Sequence, residues 1–146
     1  MISIKEIKSK DLEVCFELDS NTISLWSKKQ WENEFKKKNV QVFGALLLNE
    51  VIGVCVFQKV IDEAQINFLT VKKKFQRQGF GTYLLSQVIK KCEMLDIKKM
   101  LLEVSENNLA AENFYNNFNF FTVGIRKNYY QDGSNALLKE KKLIKN

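Results

Sequence analysis

Histidine and proline are both absent from the 146-residue chain. Without histidine there is no Ser-His-Asp triad, no Cys-His dyad and no histidine-ligated metal, so acid/base chemistry falls to carboxylates, tyrosine, lysine, cysteine or water. Cysteine is scarce: Cys15, Cys55 and Cys92 are odd in number, widely spaced and set in apolar runs. That pattern argues against a disulfide framework or a zinc site and reads as reduced core residues, with no metal expected. Arginine is scarcer still, represented by Arg77 and Arg126; the other basic residues are lysines scattered through every segment. The net charge of +6, with small lysine runs at 36–38 and 72–74 and many asparagines, reads as a compositional bias. No helix concentrates the charge and no nucleic-acid motif occurs, so no direct nucleic-acid role is expected, although phosphates of a small cofactor would use some of it.

Long apolar runs are also missing. No segment approaches the length of a membrane span, and the opening MISIKEIKSKDLEVC carries acidic residues where a secretory signal would be apolar. A cytoplasmic protein with no membrane contact is expected. What remains is the composition of an ordinary globular domain, 45% hydrophobic and 27% charged. The length suits one domain, 1–146, and neither a repeat nor a Gly/Ser-rich linker divides it. A monomer or weak dimer is expected.

A short strand over residues 2–7 precedes Leu12, Cys15 and Phe16, whose spacing predicts a helix. A second helix starts after Ser27, where Ser27 and Gln30 form a capping-box pattern and Trp26 and Trp31 a hydrophobic staple. From Val42 the pattern changes to VFGALLL, VIGVCVFQKVI and AQINFLTV, separated by Asn49-Glu50 and Asp62-Glu63. These predict three antiparallel strands joined by tight turns. After KKKFQRQGFG, the residues Leu84, Leu85, Val88, Ile89 and Cys92 form one helical stripe. KKMLLEV predicts a strand, ENNLAAENFYNNF a helix, and FFTVGIRKN and ALLKEKKLI the final strands. The expected order is β-α-α-β-β-β-α-β-α-β-β, a mixed, mostly antiparallel α/β sheet with helices on both faces.

The segment Gln76-Arg77-Gln78-Gly79-Phe80-Gly81 lies where a strand turns into the long helix. N–H groups at a helix N-terminus lack intrahelical partners and sit at the positive end of the helix dipole, so they can hold a phosphate. Glycines at 79 and 81 let that backbone approach an anion. A Gly-x-Gly is weak evidence alone; the flanking strand and helix give it weight.

This loop, with the order of elements, resembles the Q/R-x-x-G-x-G/A pyrophosphate loop of the GNAT superfamily of acetyltransferases over nearly the whole chain. Within it the sequence is most similar to the bacterial ribosomal-protein-alanine N-acetyltransferase branch. The matching pieces are Asp62-Glu63-Ala64, QRQGFG with Leu84-Leu85, Leu102-Glu103-Val104, Asn108 with Ala110-Ala111 and Tyr115, and the run from Arg126 to Tyr130 followed by Asp132-Gly133. The resemblance implies acetyl-CoA as acetyl donor and an N-terminal alanine of a small-subunit ribosomal protein as acceptor. It implies that Leu69, Thr70 and Val71 meet the pantetheine and acetyl carbonyl, and that Arg77, Gln78, Gly79, Phe80, Gly81 and Thr82 cradle the pyrophosphate. Asn108 would contact the cofactor near the pantetheine arm, Glu103 would be the general base and Tyr115 the general acid. Departures are Ser105 where relatives tend to have Arg, Asn119 in place of Gly, Ser134-Asn135 without acidic residues, and Lys139 in a normally apolar strand. They are expected to touch the acceptor end.

The chemistry supports these assignments separately. Transfer from a thioester needs a neutral amine, yet an α-amino group has a pKa of about 8 and is mostly protonated at neutral pH. With histidine absent, a carboxylate acting directly or through water is the natural proton acceptor. Glu103, between Leu102 and Val104, is either that base or a residue on the polar face of its strand. Tyr115 is either a proton donor to the leaving sulfur or a core aromatic beside Phe114 and Phe118. Glu112 is expected to face solvent. Tyr129 and Tyr130 either pack the last hairpin or line an acceptor groove. Three functions stay open: N-terminal protein acetylation, acetylation of a small amine or lysine side chain, and a non-catalytic acetyl-CoA-binding module.

Overall fold

The computed structural model describes residues 1–143. Ile144, where the sequence reading ends the last strand, lies outside the described residues. The elements are β1 (Ile2–Glu6), α1 (Leu12–Ser20), α2 (Lys28–Lys36), β2 (Val40–Leu47), β3 (Glu50–Val60), β4 (Glu63–Val71), α3 (Phe80–Met94), β5 (Lys99–Ser105), α4 (Leu109–Asn116), β6 (Phe121–Arg126) and β7 (Ala136–Lys142). Short 3-10 turns at Ser9–Asp11 and Lys73–Phe75 precede α1 and the glycine-containing loop. The order of strands and helices is the one the sequence predicts. One seven-stranded sheet runs β1-β2-β3-β4-β5-β7-β6, and within it β4 and β5 pair in parallel while the other neighbours are antiparallel.

The near-continuous apolar run of β3 reflects burial on both faces, as expected for a strand covered by helices above and below. Cys55 and Phe57 face the cluster that takes in Leu84, Leu85, Val88 and Cys92 of α3, whereas Val54 and Val56 face the cluster built on Cys15, Leu18 and Trp31 of α1 and α2. The predicted α3 stripe is buried at Leu84, Leu85, Val88 and Cys92, and Ile89 packs at its margin. All three cysteines are free and buried. The capping box at Ser27 is formed in both directions, Gln30 N–H to Ser27 Oγ at 3.1 Å and Ser27 N–H to Gln30 Oε1 at 2.8 Å. The staple is formed too, with the Trp26 and Trp31 rings edge-to-face at 4.9 Å and both against Phe68.

Two turns fall one residue earlier than the polar pairs suggest. Leu47 pairs with Glu50, so Leu48 and Asn49 form the β2–β3 turn, at φ 50° and 68°. Val60 pairs with Glu63, so Ile61 and Asp62 form the next, with Ile61 at φ 57°. Both glutamates belong to strands. Leucine and isoleucine are poor candidates for left-handed backbone, which is why hydropathy extends the strands through them. In the turns their side chains stand almost fully exposed.

Candidate active site

The site arises where β4 and β5 part. They pair through Glu63–Lys99, Ala64–Met100 and Gln65–Leu101, and there the parallel ladder ends. Immediately beyond, the β3–β4 register shifts from Phe57–Ile66 to Val56–Phe68, leaving Asn67 as an extra residue in β4. Such a bulge bends its strand. Residues 69–71 remain paired to β3 on one edge and present the other edge to the opening.

Two cavities meet in this gap. The first, of about 340 Å³, is walled by Leu69, Thr70 and Val71 of β4, by Gln76, Arg77 and Gly79 of the loop, by Gly81 and Thr82 of α3, and by Ala111, Phe114 and Tyr115 of α4. The second, of about 300 Å³, lies between β4 and β5 and takes in Glu103, Ser105, Asn108 and Tyr130, with Ile23 and Leu25 from the α1–α2 loop. Leu69, Ala111 and Tyr115 line both.

The start of α3 forms the floor of the first cavity. The first i to i−4 bond into α3 runs from Tyr83 N–H to the Gly79 carbonyl at 3.0 Å, which leaves the N–H groups of Phe80, Gly81 and Thr82 without i−4 acceptors in the helix. No side chain caps this end. The backbone is left-handed at Arg77, φ 62°, and at Gly79, φ 87°. A Cβ on Gly79 would meet nothing within 4 Å, so it would project into open space, as fits a cradle for an anion. Gly81 differs: a Cβ there would touch Val71 and Phe114 at ordinary distances of 3.7 and 3.8 Å. Gln76 donates to the Val71 carbonyl at 2.9 Å and Gln78 to the Lys74 carbonyl at 2.8 Å, so both side chains fix the loop's shape. The Phe80 ring packs edge-to-face on Phe75 at 5.8 Å and anchors the helix start.

The structure gathers Leu69, Thr70, Val71, Arg77, Gly79, Gly81, Thr82 and Tyr115 around the first cavity, and adds Gln76, Ala111 and Phe114. Phe114 carries no distinguishing sequence signal, and Ala111 entered the sequence reading only within the Ala110-Ala111 match; the two lie three residues apart on one face of α4, with Tyr115 one turn beyond Ala111. Asn108 is placed on the second cavity, and its Oδ1 caps α4 by accepting Ala111 N–H at 3.1 Å.

On the second cavity Glu103 alternates with buried Leu102 and Val104, its side chain 21% exposed and its Oε1 3.5 Å from Arg126 Nη2. Arg126 also lies over the Tyr129 ring, at 5.5 Å. Sequence alone missed this pairing, because strand registry through β7 is needed to bring β5 and β6 together. Tyr130 lines the cavity and Tyr129 packs edge-on against it at 5.1 Å, so the pair serves both the loop and the groove. Burial, and to a lesser degree Glu103 and Tyr129, raise the pKa of Tyr130. Tyr115 packs against Phe114 and Phe120 while facing both cavities. Burial, with a smaller contribution from Cys55, drives its phenol well above the usual tyrosine range, so it stays protonated at physiological pH.

The departures from the relatives have local reasons. Asn119 sits at φ 64°, a conformation natural to Gly and tolerated by Asn. Ser105 Oγ lies 3.1 Å from Ser134 Oγ, and Ser134 in turn donates to Asp132 Oδ1 at 2.6 Å, tying the β6–β7 connection to the end of β5. Lys139 is 2% exposed beneath α4, donating to Asn116 Oδ1 at 2.9 Å and Thr122 Oγ1 at 3.1 Å. Its partners are thus on α4 and β6. Glu112 is 3.7 Å from its ammonium and only 27% exposed, so Glu112 does not simply face solvent.

The seven-stranded sheet has a parallel pair that splays beside an uncapped helix N-terminus, and the pattern of the acetyltransferase (GNAT) family matches residues 4–120. The chain belongs to that family and is an acetyl-CoA-dependent N-acetyltransferase. It is 31% identical to the [ribosomal protein bS18]-alanine N-acetyltransferase of Haemophilus ducreyi, over 90% of this chain and 92% of that protein. The crystal structure of the ribosomal-protein-S18-alanine N-acetyltransferase from Escherichia coli superposes with a TM-score of 0.93 at 26% identity, covering 100% of this chain and 96% of that one. A GNAT family acetyltransferase from Elizabethkingia anophelis with acetyl-CoA bound shares the fold, TM-score 0.79 at 23% identity, over 97% and 98% of the two chains. Acetyl-CoA is the donor. Among the described residues no helix is long and apolar enough to cross a membrane, and no group of three or more His, Cys, Asp and Glu side chains could hold a metal ion.

Proposed function

We propose that this protein, acting as one cytoplasmic domain over residues 1–146, moves the acetyl group of acetyl-CoA directly onto the α-amino group of a protein N-terminus. The acceptor is an N-terminal alanine of a small-subunit ribosomal protein, the substrate named for its relatives. The observation that carries the reading is the meeting of two cavities at Tyr115, with Glu103 on the acceptor side alone. Pyrophosphate lies on the N–H groups at the start of α3, among residues 77–82. Pantetheine runs along the open edge of Leu69, Thr70 and Val71 as an added strand would. Glu103 takes the proton of the attacking amine, directly or through water. As the C–N bond forms and the C–S bond breaks, Tyr115 protonates the departing sulfur. Asn108, on the acceptor side, reaches the pantetheine arm near the reacting carbonyl.

The donor half predicts a contrast between the two glycines. Gly79→Val places a β-branched residue at φ 87° and fills the cradle, so coenzyme A binding weakens by on the order of tenfold or more. Gly81→Ala adds a methyl group at ordinary contact distance and leaves binding within about twofold. Calorimetry on folded variants decides; equal affinities for wild type and Gly79→Val remove the loop from this role.

The acceptor half is tested by incubating the enzyme and acetyl-CoA with peptides differing in their first residue, with free lysine and with polyamines, and weighing the products. Peptides beginning with Ala are expected to react fastest. Free lysine or polyamines reacting faster than every peptide would instead assign a small-amine acceptor.

A further inference from the structure

The connection between α1 and α2 is organised around one buried carboxylate. Asp19, in the last turn of α1, is fully buried. Its Oδ1 accepts Leu25 N–H at 2.7 Å, and its Oδ2 accepts both Trp26 N–H and the Trp31 indole N–H at 2.9 Å. The Asp19 carbonyl accepts further donors, among them Thr22 N–H at 3.0 Å and Ser24 N–H at 2.7 Å. Thr22 also donates its hydroxyl hydrogen to the Leu18 carbonyl at 2.7 Å. One residue therefore sets the chain's path from 22 to 26 and ties it to α2. The path requires a left-handed Ser24, at φ 50°.

Apolar packing alone could hold two helices together. A buried carboxylate instead dictates direction, because each oxygen must receive donors at fixed angles or its burial is unfavourable. What this geometry positions is the pair Ile23 and Leu25. Both line the second cavity and not the first, and their side chains stand 52% and 51% exposed. An apolar pair on a rigid loop beside the reacting centre is suited to selecting what binds there.

We infer that Asp19 is a positioning residue for acceptor recognition: it locks the α1–α2 loop so that Ile23 and Leu25 form an apolar wall for the side chains that follow the acceptor's first residue. Acceptors with an apolar or aromatic side chain in their first few residues are thereby favoured over isolated amines. This rests on the second cavity being the acceptor site. Asp19 touches no reacting atom and acts through the loop.

Steady-state kinetics with two acceptors test it: an Ala-initiated hexapeptide with apolar second and third residues, and alaninamide, which has nothing to place against the wall. Asp19→Asn keeps the size but turns an NH₂ toward the donors of Trp26 or Trp31. The peptide KM is expected to rise about tenfold with kcat nearly constant, as for loss of an apolar pocket contact. The alaninamide KM and the coenzyme A affinity stay unchanged. Ser24→Val alters an exposed residue and forbids its left-handed backbone. It therefore gives the same KM-only pattern without touching the buried group, and carries the test if Asp19→Asn fails to fold. Leu25→Ala added to Asp19→Asn costs nothing further, because the contact is already lost. Equal losses with peptide and alaninamide in folded variants would reduce Asp19 to a purely structural role and overturn the inference, as would an unchanged peptide KM in Ser24→Val. A wild-type enzyme that acetylates alaninamide as well as any peptide removes the acceptor reading itself, and this inference with it.

Discussion

Tyr115→Phe is expected to lower kcat by on the order of a hundredfold, the usual size of general-acid assistance. Coenzyme A affinity should hold, because phenylalanine keeps the ring contacts with Phe114 and Phe120 and loses only the hydroxyl. The deficit should be flat across pH. Burial holds the wild-type phenol well above the ordinary tyrosine pKa, so no accessible alkaline pH ionises it and none restores a missing donor. Stopped-flow or steady-state rates across the neutral to mildly alkaline range would check this. A near-normal rate, with chemistry shown to be rate-limiting, would leave Tyr115 as a core aromatic that happens to face the cavities.

Glu103→Gln is expected to produce a loss of similar size at pH 7, again on the order of a hundredfold, but one that shrinks as pH rises. An α-amine of pKa about 8 is only about one-tenth neutral at pH 7 and about nine-tenths neutral at pH 9. Alkaline solution therefore does part of the work of the missing carboxylate, and the deficit should narrow by roughly tenfold over that interval. The substitution also removes the partner of Arg126, which sits 3.5 Å away and has the Tyr129 ring as an alternative seat. Coenzyme A binding should barely change, since Glu103 lines the second cavity alone. The two variants are thus told apart by the shapes of their pH profiles as well as by rate. A pH-independent deficit for Glu103→Gln would mean that it orients the acceptor and takes no proton from it.

What the sequence could reveal divides by range. Elements set by local rules were legible: the Ser27 capping box, the Trp26 and Trp31 staple, the α3 stripe and the helix start at the glycine loop all depend on residues within a turn or two of one another. The β2–β3 and β3–β4 turns were displaced because Leu48 and Ile61 occupy left-handed positions that their side chains do not advertise. Around the cavities, the residues of the strand and helix flanking the glycine loop could be named from local pattern, and Glu103, Asn108 and Tyr115 through the resemblance, whereas the Arg126 pairing, which depends on registry, could not. Arg126 reaches Glu103 only because β7 inserts between β5 and β6. Asp19 carries no sequence signal, since its donors lie six, seven and twelve residues further on. Lys139 looked misplaced in an apolar strand, and its acceptors, Asn116 and Thr122, belong to elements that meet it only in the fold.

The most direct test of the proposed activity uses one peptide that begins with alanine and carries an internal lysine, treated with the enzyme and acetyl-CoA and sequenced by tandem mass spectrometry. One acetyl group on the α-nitrogen of the first residue, with the lysine unmodified, is the predicted result. Acetyl on the lysine ε-nitrogen with a free N-terminus would contradict it.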